Sequence, residues 1–469
     1  MVSFTKTIDR SRIKKLMERE VARYVTERPK SQELFERAKR SLIGGVPMNW
    51  MLGWSKSFPA VSGPITMGPP FPVFVKEAKG AYVTDVDDHR YLDLSMGDAG
   101  AAFGHSPKAT VDAVTDQMKR GMTYLLPTED SIWVGEELAR RFGLPYWQIT
   151  MTATDSNRFA LKIAREITKR NLILVFNGCY HGTVDETLVC LEEGVVRPEP
   201  SCLGPLPNPA SRTRVIEYND LDALKRALSH RDVACVICEP AMTNMGLIRP
   251  DRGYNEALRE ITRRFGTLLI IDETHTLPCT DPGGLTRAWK LEPDIITFGK
   301  PIAGGIPASA MGFSEEVAEK LHALNIMPDG VSGLGGTLSG NALAIAAMRA
   351  TLEHVMTKST YDRMINHAEK IDNGMSAIIK AANLSWCVRR LGSRLEVRHQ
   401  TILPRNATES KAAFDFQLDS FINQFFLNRG IMSYPWYNAP LEMVPPQTTS
   451  NDVDLNNRVF GECVDKLVG

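Results

Sequence analysis

The feature that most constrains the fold of this chain is a series of short apolar segments between residues 148 and 315, which alternate with amphipathic stretches. The apolar segments are LILVF (172–176), VACVIC (233–238), TLLII (267–271), DIITF (294–298) and SAMGF (309–313). The amphipathic stretches cover 156–168, 221–230 and 254–265. Short apolar strands separated by amphipathic helices are typical of a parallel sheet that helices cover on both faces. The pattern predicts an α/β fold built on a mostly parallel sheet.

The regions before and after this series have a different character. Residues 11–43 have the apolar spacing of two helices separated by Pro29, and 80–94 alternates as a β-hairpin. Ser106 and Pro107 are predicted to be the N-cap and the first residue of a further helix. Two long irregular segments rich in proline are predicted at 44–74 and 194–211.

The C-terminal region predicts a helix over 342–356 and a strand in RLEVRH (394–399). We therefore expect three segments in two domains. Residues 1–95 supply helices, a loop and a hairpin to the small domain, 96–345 form a large cofactor-binding domain, and 346–469 complete a smaller α+β domain.

Composition narrows the class of protein. The chain has 469 residues, with 55 basic and 55 acidic side chains, so there is no excess of Lys and Arg to release counterions from a nucleic acid. No apolar run approaches the roughly 18–20 residues of a membrane span, and the N-terminus has no apolar signal region. The eight cysteines include one close pair, Cys235 and Cys238, without further ligands for a metal. We expect a cytoplasmic protein without a metal, a membrane partner or a nucleic-acid partner.

Chemically reactive side chains follow the predicted strands. Tyr180 and His181 come shortly after 172–176, Glu239 follows 233–238 directly, Asp272 follows 267–271, and Lys300 follows 294–298. In a parallel sheet, ligands bind beyond the carboxyl ends of the strands. The sequence therefore predicts an aromatic ring, carboxylates and a lysine at one edge of the sheet.

These residues fit a pyridoxal phosphate site better than a nucleotide site. The chain contains no G-x-G-x-x-G, G-x-x-x-x-G-K-[ST] or G-x-S-x-G motif. Pyridoxal phosphate needs a lysine for a Schiff base, an acid beside the pyridine nitrogen and a cradle for the phosphate. Lys300 follows Gly299, Asp272 ends a neighbouring strand, and Ala153 and Thr154 lie at the start of a predicted helix, where free N–H groups attract phosphate.

The ordered set of motifs resembles the class III aminotransferases, in the branch of glutamate-1-semialdehyde aminomutase. The resemblance is carried by Asp272-Glu273, GGLTRAWKLEPDIITFGKPIAGGIP (283–307), NGCYHG (177–182), EP (239–240) and GTLSGNALAIAA (336–347). It implies fold type I, with a mostly parallel, seven-stranded type of sheet in the large domain and a smaller α+β domain from both chain ends. It also implies pyridoxal 5'-phosphate as cofactor and a homodimer with shared active sites.

The resemblance assigns a role to each matching residue. Lys300 resembles the Schiff-base lysine that also moves the substrate proton. The other residues are implied to bind the cofactor: Asp272 at the pyridine nitrogen, Tyr180 on the ring with His181 beside it, Ala153 and Thr154 at the phosphate, Thr274 under the ring, Glu239 near the site, and Thr337 at the phosphate of the neighbouring subunit.

Three departures from the family concern the substrate. The early loop reads GGVPMNWM (44–51), without the arginine of the aminomutase pattern GGVNSPVR, and predicts a hydrophobic wall made of Met48, Trp50, Met51 and Trp54. Asp98 replaces an aromatic residue. Arg405 falls where related β-amino-acid aminotransferases place a carboxylate-binding arginine.

Together these observations predict an aminotransferase. It would move an amino group from an amine or an amino acid, β-amino acids included, with a bulky apolar group to a keto acceptor. The alternatives on the same fold are an aminomutase of the glutamate-1-semialdehyde type, a lyase, or a non-enzymatic relic of the fold. The missing arginine argues against the aminomutase, and the intact Lys300 and Asp272 argue against the relic.

Overall fold

The structure is a computed structural model that describes residues 8–54, 68–324, 333–433 and 441–469. The strands are β1 (Val75–Lys79), β2 (Tyr82–Asp85), β3 (Arg90–Asp93), β4 (Tyr146–Thr150), β5 (Leu172–Phe176), β6 (Val189–Glu192), β7 (Val195–Pro198), β8 (Thr213–Ile216), β9 (Val233–Cys238), β10 (Leu268–Asp272), β11 (Ile295–Phe298), β12 (Ser309–Phe313), β13 (Cys387–Leu391), β14 (Arg394–Arg398), β15 (Ile431–Met432) and β16 (Leu441–Met443).

The α-helices are α1 (Arg10–Glu27), α2 (Pro29–Ala38), α3 (Lys108–Arg120), α4 (Glu129–Phe142), α5 (Ala153–Thr168), α6 (Leu221–Leu228), α7 (Tyr254–Phe265), α8 (Gly284–Ala288), α9 (Glu315–Ala323), α10 (Ala342–Ala350), α11 (Lys358–Ala381), α12 (Ala407–Ala412), α13 (Phe416–Leu427) and α14 (Ser450–Val468). Short 3₁₀ helices lie at Ile43–Gly45, Asn49–Trp54, Asp185–Thr187, Pro209–Ser211 and Lys300–Ala303, and one π-helical turn lies at Thr351–Val355.

A seven-stranded sheet in the order β4-β12-β11-β10-β9-β5-β8 is the centre of the fold. The strands from β11 to β8 run parallel, and β12 is antiparallel to both β11 and β4. This confirms the predicted α/β fold with a mostly parallel sheet. It also brings the carboxyl ends of β5, β9, β10 and β11 to one edge.

Both faces of this sheet are buried, which explains why its strands have no polar side. In β9, Cys235 and Ile237 pack into the core under α5, whereas Val236 and Cys238 pack into the core under α6 and α7. The burial of all six β9 residues is the pattern expected when helices cover both faces.

A further core joins the two ends of the chain. Ile13 and Met17 of α1 pack in one cluster with Phe421 and Phe425 of α13 and with Phe460 of α14. Strand β15 also pairs in parallel with β3, so the N-terminal hairpin and the C-terminal region share a sheet of order β1-β2-β3-β15. The division into domains at 95 and 345 stays a prediction.

The structure corrects three local predictions. Ser106 has a φ of 52° and Pro107 is the N-cap, so α3 begins at Lys108. The helix predicted over 342–356 ends at Ala350 and continues only as the π-helical turn. The segment 194–211 is not wholly irregular, because β7 pairs with β6.

The structure also bears on the cysteines, on membrane spans and on metal ligands. All eight cysteines are free thiols. Within the described residues, no helix is both long and apolar enough to span a membrane, and no group of three or more His, Cys, Asp or Glu side chains is arranged to hold a metal ion.

Candidate active site

A cavity of about 300 Å³ opens at the carboxyl edge of the seven-stranded sheet. It brings together most of the residues that the sequence singled out. Its lining includes Trp50, Asp98, Ala153, Thr154, Tyr180, Glu239, Asp272, Thr274 and Lys300.

Asp272, the last residue of β10, is a buried carboxylate held by three donors. Its Oδ2 accepts hydrogen bonds from His181 Nδ1 at 2.9 Å and Asn157 Nδ2 at 2.8 Å, and its Oδ1 accepts one from the Thr274 amide at 2.9 Å. Burial raises the pKa of Asp272, but the hydrogen bond and charge of His181 outweigh it, and the pKa is lowered. Asp272 is therefore a fixed negative charge inside the protein.

His181 is fully enclosed behind this carboxylate. Burial lowers the pKa of His181, but Cys179 and Asp272 oppose it and raise the pKa above the ordinary value. Asn157 on α5 is oriented by Thr297, whose hydroxyl donates to the Asn157 carbonyl at 2.6 Å. His181 and Asn157 thus hold Asp272 in position beside the cavity.

Lys300 reaches the cavity from the end of β11. A Cβ atom at Gly299 would lie 3.2 Å from both the Cβ and the amide nitrogen of Ala153, so glycine allows the strand end to approach the start of α5. Lys300 itself has a φ of 47°, in the left-handed region. Its amine contacts the Asp98 carboxylate and lies 2.5 Å from His275 Nε2. Burial lowers the pKa of Lys300 from its ordinary value, although the Asp98 carboxylate opposes this effect.

The start of α5 offers free backbone amides to an anion at the cavity, and this region is called the anion site below. Thr152 caps the helix by accepting a hydrogen bond from the Asp155 amide, which leaves the amides of Ala153 and Thr154 without intrahelical acceptors. A Cβ atom at Gly182 would lie 2.2 Å from Thr154 Oγ1, so only glycine fits the facing loop. Ala153 has an ordinary helical φ. Alanine in place of the family's glycine is therefore compatible with this turn.

The hydrophobic wall is smaller than the sequence predicted. Trp50 packs edge-on against Tyr180, with ring centroids 5.4 Å apart. Met48 and Met51 are exposed and do not line the cavity. The side chain of Trp54 lies outside the described residues.

Two predicted residues lie away from this cavity. The Arg405 side chain is 59% exposed and pairs with Asp251 on the surface. The structure therefore does not bring Arg405 to the cavity of its own chain. Thr337 is exposed and also does not line it.

Three residues of the site were missed by sequence reasoning, and one of them is Asn157, which donates to Asp272 from the first turn of α5. His275, three positions after Asp272, contacts Lys300, and its position in the loop after β10 was a signal that could have found it. Thr243 joins His275 to Glu239 by hydrogen bonds, and no sequence pattern marks it.

Pyridoxal phosphate fits these residues. The free amides of Ala153 and Thr154 suit its phosphate, the buried negative charge of Asp272 suits a protonated ring nitrogen, and Lys300 supplies the amine. When bound, the cofactor withdraws electrons from the substrate carbon that carries the amino group. Asp272 would hold the ring nitrogen protonated, and Lys300 would take and return a proton of the substrate.

A lysine and a buried carboxylate at the carboxyl edge of such a sheet define a pyridoxal-phosphate-dependent enzyme of fold type I. Residues 66–457 match the family described as aminotransferase class-III, and the chain belongs to that family.

Similar proteins carry the names of two activities. A crystal structure of a glutamate-1-semialdehyde aminomutase from Pseudomonas aeruginosa PAO1 superposes with a TM-score of 0.92 at 42% identity, covering 98% of this chain and 99% of the other. The glutamate-1-semialdehyde 2,1-aminomutase of Sulfurihydrogenibium sp. (strain YO3AOP1) is 33% identical over 78% of this chain and 83% of its own length. A β-phenylalanine aminotransferase from Variovorax paradoxus superposes with a TM-score of 0.82 at 25% identity, covering 96% of this chain and 97% of the other.

Proposed function

We propose that this chain moves an amino group on a small amine or amino acid, with Lys300 taking and returning the substrate proton. The observation that carries the proposal is the place of the Lys300 amine, which opens on the same cavity as Asp272 and the free amides at the start of α5. The anion site, the buried carboxylate and the lysine are the three parts that pyridoxal phosphate requires.

The first candidate reaction is rearrangement within one molecule, as in an aminomutase. The names of two similar proteins, both glutamate-1-semialdehyde aminomutases, favour this alternative over the transaminase that the sequence predicted. Asp98 and His275 add polar groups beside Lys300, and we propose that Asp98 contacts the substrate once the lysine is bound to the cofactor.

The second candidate is transfer to a separate keto acceptor. It is favoured by the early loop, which places Trp50 against Tyr180 in the cavity and has Met48 and Met51 where the aminomutase pattern has its serine and arginine. An apolar side of the cavity suits a substrate with an apolar group better than a second carboxylate.

Acceptor dependence distinguishes the two. Cofactor-loaded protein is incubated with amines, α- and β-amino acids and amino aldehydes, with and without pyruvate or 2-oxoglutarate. An isomer formed without acceptor identifies an aminomutase, elimination without acceptor identifies a lyase, and product formed only with acceptor identifies an aminotransferase.

Two lysine variants serve as the matched pair for this assay. Lys300→Ala is expected to lose about 10²–10⁴-fold in rate, because the proton-transferring amine is gone. Lys320→Ala removes an exposed lysine that pairs with Glu316 on the surface of α9 and is expected to keep the wild-type rate. Wild-type turnover by Lys300→Ala would overturn the proposal, and a wild-type chain inactive on the whole panel would favour the relic.

A further inference from the structure

A continuous line of hydrogen bonds connects Lys300 to a buried acid. Lys300 Nζ lies 2.5 Å from His275 Nε2, and His275 Nδ1 lies 2.6 Å from Thr243 Oγ1. The Thr243 hydroxyl donates to Glu239 Oε2 at 2.5 Å, and the Thr243 amide donates to Glu239 Oε1 at 3.1 Å. Every link is within hydrogen-bond distance, and no link requires a water molecule.

We infer that His275, Thr243 and Glu239 form a proton relay that deprotonates Lys300 after the substrate has released it from the cofactor. This inference rests on the proposed function and deepens it. His275 contacts the reacting amine and is the catalytic member, whereas Thr243 and Glu239 act through it and position the proton.

The transfers balance without any other reactant. The Lys300 ammonium gives a proton to His275 Nε2, His275 Nδ1 gives its proton to Thr243 Oγ1, and the Thr243 hydroxyl gives its own proton to a Glu239 oxygen. The products are a neutral lysine, a neutral histidine in its other tautomer and a neutral glutamic acid. The reverse sequence returns the proton to Lys300 when the lysine must displace the product.

Burial and charge suit each member for this task. Burial and the charge of Lys300 lower the pKa of His275 to about 3, so the ring starts neutral and must release the Nδ1 proton as it takes the one at Nε2. Burial raises the pKa of Glu239 to about 7, despite the donors on Thr243, so this acid can hold a proton near neutral pH. Glu239 is 6% exposed where it lines the cavity.

Asp98 is the competing acceptor for the lysine proton. Burial raises the pKa of Asp98, but the charge of Lys300 and its hydrogen bond to Asp98 outweigh this effect, and the net shift is downward. A carboxylate with a lowered pKa stabilises the ammonium without accepting its proton. Other charged groups also face the relay. Arg394 of β14 lies near Lys300 and His275. Asp272 and His181 lie near Glu239.

Two substitutions at Thr243 isolate the relay. Thr243→Val keeps the shape and the amide donor but removes the hydroxyl, whereas Thr243→Ser keeps both. The half-reaction with an amino donor is followed in single turnovers across pH, and cofactor absorbance reports that both variants are folded and loaded. We expect Thr243→Val to be about 10–100-fold slower and to lose the acid limb that Glu239 gives the wild type near pH 7, with Thr243→Ser close to the wild type.

A second readout does not depend on activity. In the cofactor-free protein, acylation of Lys300 by acetic anhydride is measured against pH by peptide mass spectrometry. The relay predicts that Thr243→Val shifts the midpoint of this labelling relative to the wild type and Thr243→Ser. Wild-type behaviour of Thr243→Val in both experiments, or equal losses in the two variants, would overturn the relay. Failure of the proposed function would instead leave the wild type without any half-reaction.

Discussion

At the scale of single residues, the Asp272–His181 pair is the best-defined electrostatic feature of the site. Asp272 has a lowered pKa and His181 a raised one, and the two groups are 2.9 Å apart. Because the pKa of Asp272 is lower in the folded protein than its value of 3.8 in the unfolded chain, this group stabilises the fold at pH values above 3.8. That stability is lost as the pH falls through the pKa of the folded state. Because the pKa of His181 is higher in the folded protein than its value of 6.5 in the unfolded chain, this group stabilises the fold at pH values below 6.5. That stability is lost as the pH rises through the pKa of the folded state.

Asp272→Asn should therefore destabilise the cofactor-free protein most at intermediate pH. We expect a loss of about 1.5–3 kcal/mol, the range for a hydrogen bond to a charged group. Urea unfolding at several pH values measures it, with the exposed Asp222→Asn as control. A difference from the wild type that stays constant down to strongly acidic pH would contradict the assignment of a lowered pKa to Asp272.

The sequence predicted the site residues that directly follow strands. It did not predict residues whose role depends on which neighbour the side chain contacts. Lys300, Asp272 and Tyr180 could be found because the ends of buried strands converge at one edge. Thr243 could not, because its role depends on which neighbour its hydroxyl meets. Arg405 matched a position in the sequence, but the spacing did not reveal that its side chain turns outward to Asp251.

At the scale of elements, the strands buried on both faces were predictable and the edge strands were not. Strands β5, β9, β10, β11 and β12 read as continuous apolar runs. The two outermost strands, β4 and β8, were not predicted, because polar residues interrupt their sequences YWQIT and TRVI. An edge strand keeps one side near solvent, so its sequence lacks the apolar signal of a central one.

The turn that presents Asp98 to Lys300 is the most strained element beside the site. Four consecutive residues, Met96 (47°), Gly97 (57°), Asp98 (54°) and Ala99 (64°), have positive φ. A left-handed conformation costs a non-glycine residue about 1–2 kcal/mol, and consecutive examples are rare. Buried Met96 and hydrogen bonds from Ser95 and Met96 to Asp93 hold the turn in place. Such strain persists where the surrounding structure enforces it, typically at functional sites.

Asp98→Gly should release part of this strain. In a Lys300→Ala protein the ion pair between Lys300 and Asp98 is already absent. Adding Asp98→Gly to that protein should raise its free energy of unfolding by about 1 kcal/mol. Lys290→Gly is the matched control, because Lys290 is exposed with a φ of 53° and should gain similarly. With Lys300 intact, Asp98→Gly should lower turnover while Lys290→Gly does not. An Asp98→Gly protein with wild-type turnover would remove Asp98 from the site.

At the scale of the whole molecule, we propose that the active sites are shared between two subunits. Thr337 matches the family's phosphate-binding threonine, yet it is exposed and lies outside the cavity of its own chain. A residue at this position can serve a cofactor only if a second copy of the chain brings it there. The proposal predicts a homodimer in solution and a specific pattern of complementation between inactive variants.

Mixed dimers test this arrangement directly. Lys300→Ala removes the reacting amine, and Thr337→Asp places a negative charge against the phosphate, so each variant alone should be nearly inactive. In a mixed dimer, one site combines an intact Lys300 from one subunit with an intact Thr337 from the other. After co-refolding, half of the dimers are mixed and each mixed dimer has one intact site out of two. The mixture should therefore restore up to a quarter of wild-type activity. Lys300→Ala mixed with Asp272→Asn should restore nothing, because both residues line the cavity of a single chain and each mixed site keeps one defect. If the Thr337 mixture were as inactive as the Asp272 mixture, Thr337 would not act across a subunit boundary.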